Sequence, residues 1–199
     1  MAVVSIKNKL RRGNLLVGNT AFDPAAMDSI ATVTVGATSV STITFSSIPA
    51  TYTHLQLRAI AKCNVNDGNN SYSNIYMTFN SDTGSNYSYH HIQGDGSSVA
   101  TTGQVNQTSV FVGTAANSDS AQASVFAANV VDILDYANTN KYKTVRCLNG
   151  KENNAATYNR LQFKSGNWRN TNAITSITLT SDGNFTQYSH FALYGIASA

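Results

Sequence analysis

The chain has 199 residues, of which 42% are hydrophobic and only 12% charged. That is enough apolar material for the core of one large domain, and too little charge for a chain kept disordered by self-repulsion. The formal net charge is +3, part of it gathered in the N-terminal "IKNKLRRGN", well short of the dense basic face of a nucleic-acid binder. No nucleic-acid partner is expected.

No stretch approaches the ~18–20 consecutive apolar residues of a membrane-spanning helix, so no membrane partner is expected either. The apolar run of "MAVVSIKNKLRRGNLLVGN" precedes its basic residues, the reverse of a secretory signal. The expectation is a protein made in a cell interior.

Residues 1–28 read as an extended arm. Gly13, Gly18 and Pro24 interrupt any helix, and the segment lacks strand alternation. Its Lys7, Lys9, Arg11, Arg12, Leu15, Leu16 and Val17 have no core of their own, so they are candidate docking residues for assembly. Residues 29–199 read as one β-domain. "IATVTVG" puts Ala31, Val33 and Val35 on one face and "VSTITFSSIP" does the same with Ile43 and Phe45; the intervening "GATS" reads as the turn of a hairpin. "THLQLRAIAKC" turns Leu55, Leu57, Ala59, Ala61 and Cys63 inward and His54, Gln56, Arg58 and Lys62 outward.

"NIYMTFNS" alternates again through Ile75, Met77 and Phe79, and "YSYHHIQGDG" and "TSVFVGT" follow as strands. "ASVFAANVVDILDY" has a helix-compatible apolar run, but its β-branched residues favour one long strand, or two with a bulge at Asn129. "YKTVRCLNG" and "NRLQFKSGNW" are strands, the second with Leu161 and Phe163 on one face. "NTNAITSITLTSDGNFTQYSHFALYGI" reads as a closing hairpin around Ser-Asp-Gly-Asn. Strands at intervals of roughly 8–15 residues with turns between them define an all-β chain. The expected fold is a single jelly-roll-like β-sandwich of about eight strands with an extended N-terminal arm, its core including Leu55, Leu57, Phe79, Leu161, Ile177, Leu179, Phe191 and Leu193.

Little here resembles catalytic chemistry. Cys63 and Cys147 sit in strands, outside any CxxC or Cys/His cluster, and read as small buried hydrophobes, although a bridge between strands is open. His90 and His91 are adjacent on a strand and therefore point to opposite faces. Asp132 and Asp135 flank "ILDY" without a further marker, and Glu152 is the only glutamate. "NVNDGNN", "NSDTGSN" and "GDGSS" are oxygen-rich but lack EF-hand spacing and read as turns. No cofactor, metal or enzyme activity is expected. Trp168, the only tryptophan, lies in polar "SGNWRNTN"; with Asn167 and Arg169 it is a candidate for stacking on a sugar, for anchoring an interface or for closing the core.

"SIKNKLRRGNLLVGN", "DSIATVTVG", "ITFSSIPATYTHLQLR", "FNSDTGSNYSYH", "DILDYANTNKYKTVR" and the closing "NTNAITSITLTSDGNFTQYSHFALYGI" together span nearly the whole chain. In these stretches it resembles a family of bacteriophage virion proteins of aquatic phages. The resemblance implies a structural or attachment role in the virion and brings no catalytic residues. Two readings follow: a capsid decoration (cement) protein, working as a homotrimer against the major capsid protein, or a tail-fibre or receptor-binding module attached to a tail protein and touching host surface glycan.

Overall fold

The computed structural model of the protein describes residues 27–69, 71–119, 123–154 and 158–197. Twelve strands and no helix occur among them: β1 (Met27–Thr34), β2 (Val40–Phe45), β3 (His54–Ala61), β4 (Tyr72–Phe79), β5 (Tyr87–Gly94), β6 (Val99–Gln107), β7 (Val110–Ala116), β8 (Ala127–Leu134), β9 (Lys143–Lys151), β10 (Arg160–Trp168), β11 (Ile177–Phe185) and β12 (His190–Ile196). They form two antiparallel sheets, an eight-stranded one in the order β1-β12-β3-β8-β9-β10-β5-β6 and a four-stranded one in the order β2-β11-β4-β7. The fold is a β-sandwich.

Period-2 alternation places the core between the sheets. Leu55, Leu57, Phe79, Ile177, Leu179, Phe191 and Leu193 are each 2% exposed or less, as the alternation requires. Leu161 departs from expectation, being 61% exposed. Lys62, expected outside, is buried, its Nζ 2.7 Å from the Ala123 carbonyl. The doubtful segment is one strand, β8, which keeps its register on both neighbours with no bulge at Asn129.

Neither expected hairpin forms. β1 and β2 lie in different sheets, as do β11 and β12. Ser181–Asn184 runs on within β11 as an irregularity, since neighbouring segments bind it: the Asn74 N–H donates to Asp182 and the Asn184 N–H to Asn64. The chain changes sheet at 186–189 instead, where the Ser189 N–H donates to the Thr186 carbonyl.

The strand rows give the sandwich two distinct ends. At one end Met27 pairs with Ile196, and the segments around 46–53, 80–86, 135–138 and 169–176 are tied together by Ile48 N to Thr175 O (3.0 Å), Ile174 N to Tyr136 O (2.9 Å) and Arg169 N to Asn86 O (2.8 Å). At the other end lie the loops at 62–69, 95–98, 117–119 and 186–189, joined by Ser118 N to Val65 O (2.7 Å) and Thr186 N to Lys62 O (2.9 Å). Met27 and Asp28, the last two residues of the arm expected at 1–28, already belong to β1. Lys7, Lys9, Arg11, Arg12, Leu15, Leu16 and Val17 lie outside the described residues.

Candidate functional site: the outer face of the eight-stranded sheet

β10 reads Arg-Leu-Gln-Phe-Lys-Ser-Gly-Asn-Trp. Its far end fixes which face points inward. Trp168 is 1% exposed, packed on Phe79 and Tyr87, with its Nε1–H donating to Asp82 at 2.8 Å. Two residues earlier a Cβ on Gly166 would stand 2.3 Å from Val110 Cγ2, so β7 needs a glycine there. Side chains alternate without exception along a regular strand. With Trp168 and Gly166 inward, Lys164 and Gln162 follow them inward. Leu161 and Phe163 are driven outward, 61% and 49% exposed.

The buried polar groups form a connected ladder. Asn129, Asn149, Gln162 and Gln93 are successive register partners on β8, β9, β10 and β5. The Asn149 amide donates to Gln162 Oε1 at 2.9 Å and to Thr114 Oγ1 at 3.0 Å, and Gln162 donates to Gln93 Oε1 at 2.7 Å. Asn129 bonds both the N–H and the carbonyl of Thr114 at 2.9 Å. Lys164 Nζ donates to Asn149 Oδ1 at 2.7 Å and Gln162 Oε1 at 2.6 Å and sits 4.1 Å from the Phe111 ring centroid. None of these partners is a carboxylate, and burial lowers the Lys164 pKa to about 7. Such a row is tolerable because its amides are bonded; an unpaired one would cost on the order of 1–3 kcal/mol.

On the opposite side of the same strands the pattern is the complement. One outward row runs Ile60, Ala128, Gly150, Leu161, Gly94 and Val99; the next runs Val130, Leu148, Phe163 and Ile92. Ile60, Ile92, Leu148 and Val99 are 51%, 47%, 51% and 69% exposed. The third outward row, nearer the end that holds Met27, is polar: Gln56, Asp132, Arg146, Ser165 and His90. Gln56 donates to Asp132 at 2.8 Å. The apolar rows are furrowed. A groove of about 510 Å³ has Ala128, Gly150 and Ala192 in its floor and Ile60, Leu148 and Leu161 along its sides, and a second of about 310 Å³ lies between Leu148, Arg146 and Phe163.

The residues singled out from sequence do not form one cluster: Asp132 and His90 lie apart in the polar row of this face. Trp168 is a core side chain, so its ring is not offered to a sugar. Arg169 is exposed and donates to the Ser85 carbonyl and Asn106 Oδ1, each at 2.7 Å, while half-buried Asn167 reaches the Lys143 carbonyl at 3.4 Å. Asp132 and Asp135 part company: Asp135 lies past the strand at φ 51° with Lys141 on its carboxylate. His90 faces out over Gly103, whereas His91 faces in, edge-on to Phe111 at 5.5 Å. Cys63 and Cys147 are both buried and free, and burial pushes the Cys147 thiol up to about 12. Among the described residues there is no group of three or more His, Cys, Asp or Glu placed to hold a metal ion.

The sequence signal for the outer face was one of parity. If Trp168 belongs to the core, Leu161 and Phe163 cannot share its side. No family model matches the chain, and no curated protein or solved structure matches it.

Proposed function

We propose that the chain is a non-enzymatic structural protein of a bacteriophage virion, a capsid decoration (cement) subunit that works as a homotrimer on the head exterior. The observation that carries this reading is the outer face of the large sheet, where Leu161, Phe163, Leu148, Ile60 and Ile92 stand in water while lysine and amide groups fill the space behind them. A monomer working alone gains nothing from that arrangement; a subunit covered during assembly does. In this reading the arm, residues 1–28 as read from sequence, fastens the domain to the major capsid protein.

A second reading is supported by the two ends of the sandwich. Asn- and Asp-rich loops at 64–69 and 95–98 lie at the end away from Met27. A chain fastened through the residues preceding Met27 would present those loops outward, as a tail-fibre or receptor-binding module meeting host glycan does. Copy number in purified virions separates the two. Parity with the major capsid protein supports decoration, a number matching the tail fibres supports the module, and absence from the particle sinks both. Deleting Ala2–Asn19 is expected to leave the melting temperature unchanged and to abolish incorporation; a truncated chain that still incorporates assigns the contact to the β-domain.

A further inference from the structure

We infer that the outer face of the eight-stranded sheet docks a second copy of this chain, the Leu161–Phe163 ridge of one copy entering the groove floored by Ala128, Gly150 and Ala192 on the next. The inference deepens the virion reading above by naming the partner of its assembly face, and it stands on three features.

The first is area. Ile60, Ile92, Leu148, Leu161 and Phe163, each about half exposed, present roughly 500 Å² of apolar surface. That falls in the ~300–600 Å² range of a monomer's largest apolar patch, a patch that is often a functional surface. With half-buried Val130 and Tyr194 and the flanking Arg58 and Arg146, the face approaches the ~800 Å² per partner of a standard stable interface.

The second is shape. Ridge and groove adjoin on one face: β10 carries the ridge, and its Leu161 also walls one side of the groove of about 510 Å³ that crosses β12, β3, β8 and β9. The face therefore holds both halves of its own complement. Such a face is self-complementary, so a second copy can dock by exchanging ridge for groove.

The third is charge. Asp132 and Arg146 are register partners in the polar row that borders the apolar ones. A second copy brings both signs to meet them. The rival occupant from within the chain is the N-terminal segment, but its Lys7, Lys9, Arg11 and Arg12 would meet a border already carrying Arg58 and Arg146 with only Asp132 opposed, which disfavours it.

The test is light scattering on the full-length protein at micromolar concentration, with a far-ultraviolet spectrum and melting curve taken on each variant. The wild type should exceed the mass of one chain. Leu161→Asp and Phe163→Asp change half-exposed positions and should give folded monomers. Ala128→Trp fills the groove floor without adding charge and should also give a monomer, which keeps the outcome readable if either aspartate variant misfolds. A monomeric wild type overturns the inference, as does an oligomer that survives all three substitutions in folded protein. Incorporation into virions is scored separately. An oligomer absent from virions leaves this inference standing and sinks the virion reading; a virion-borne monomer sinks this inference alone.

Discussion

The two halves of the eight-stranded sheet obey opposite rules. In β3 and β12, Leu55, Leu57, Phe191 and Leu193 are buried, and Gln56, Arg58 and His190 face water. In β9 and β10, Asn149, Gln162 and Lys164 are buried and Leu148, Leu161 and Phe163 face water. The difference follows from what lies across the core. The small sheet has four strands against eight, so β3 and β12 meet its apolar face. β9, β10 and β5 meet mainly its edge strand β7, where Thr114 and Phe111 receive polar groups. Burial alone is a poor guide to which residues hold such a sheet together; what each face meets decides.

The sharpest way to break the comparison is to truncate one apolar side chain from each half. Leu57→Ala should lose ~2–5 kcal/mol of stability, since Leu57 is 2% exposed in close-packed surroundings. Phe163→Ala should stay within about 0.5 kcal/mol of wild type in the dissociated chain. Urea melts of both variants measure the gap, and equal losses would mean that the two halves share one rule.

Next in size is Gly166→Ala. Its new methyl would press on Val110 from 2.3 Å, an overpacking expected to cost ~1–3 kcal/mol. That loss, read from the same melts, would identify the close approach of β7 as what fixes the parity of β10; an unchanged midpoint would shift that duty to Trp168.

A smaller effect comes from Lys164. Its folded pKa, about 7, lies below the 10.5 of a free lysine. Between those values the unfolded chain holds a proton that the folded one lacks, so stability rises with pH across that window and the contribution is lost as pH falls through 7. Lys164→Met should remove this group's part of the slope in melting temperature between pH 7 and 10; an unchanged slope would place its cause elsewhere. The smallest expected signal is chemical: with its thiol near 12 and its side chain 2% exposed, Cys147 should resist alkylation at neutral pH until the protein unfolds. Labelling of native protein at Cys147 would mean that the β9 half opens more readily than the β3 half.

Much of the strand pattern was legible because alternation reports a half-buried strand whichever way it faces. That ambiguity is also why the candidate face was not. "RLQFKSG" is equally amphipathic in both orientations, and hydrophobicity alone selects the wrong one. The deciding cues, Gly166 and Trp168, act through β7 and through Asp82, contacts remote in sequence. The expected hairpins failed for a related reason. "GATS" and "SDGN" are competent turn formers, but local turn chemistry does not record that the flanking strands belong to different sheets. Trp168 misled in its own way: its polar neighbours in sequence are loop residues, while its neighbours in space are Phe79 and Tyr87.

β12 lies between β1 and β3 in the finished sheet, and Thr34 bonds His190 across 156 residues of chain. A ribosome adds about 5–20 residues per second, so β1 waits on the order of ten seconds for β12, its only neighbour in that sheet among the described residues. Through that interval β1 and one side of β3 remain open to pairing with strands of other nascent chains. Expression yield should therefore depend on translation speed and on chaperones that shield an open strand edge, and slow codons placed between β3 and β12 should lower it even though the finished protein is identical.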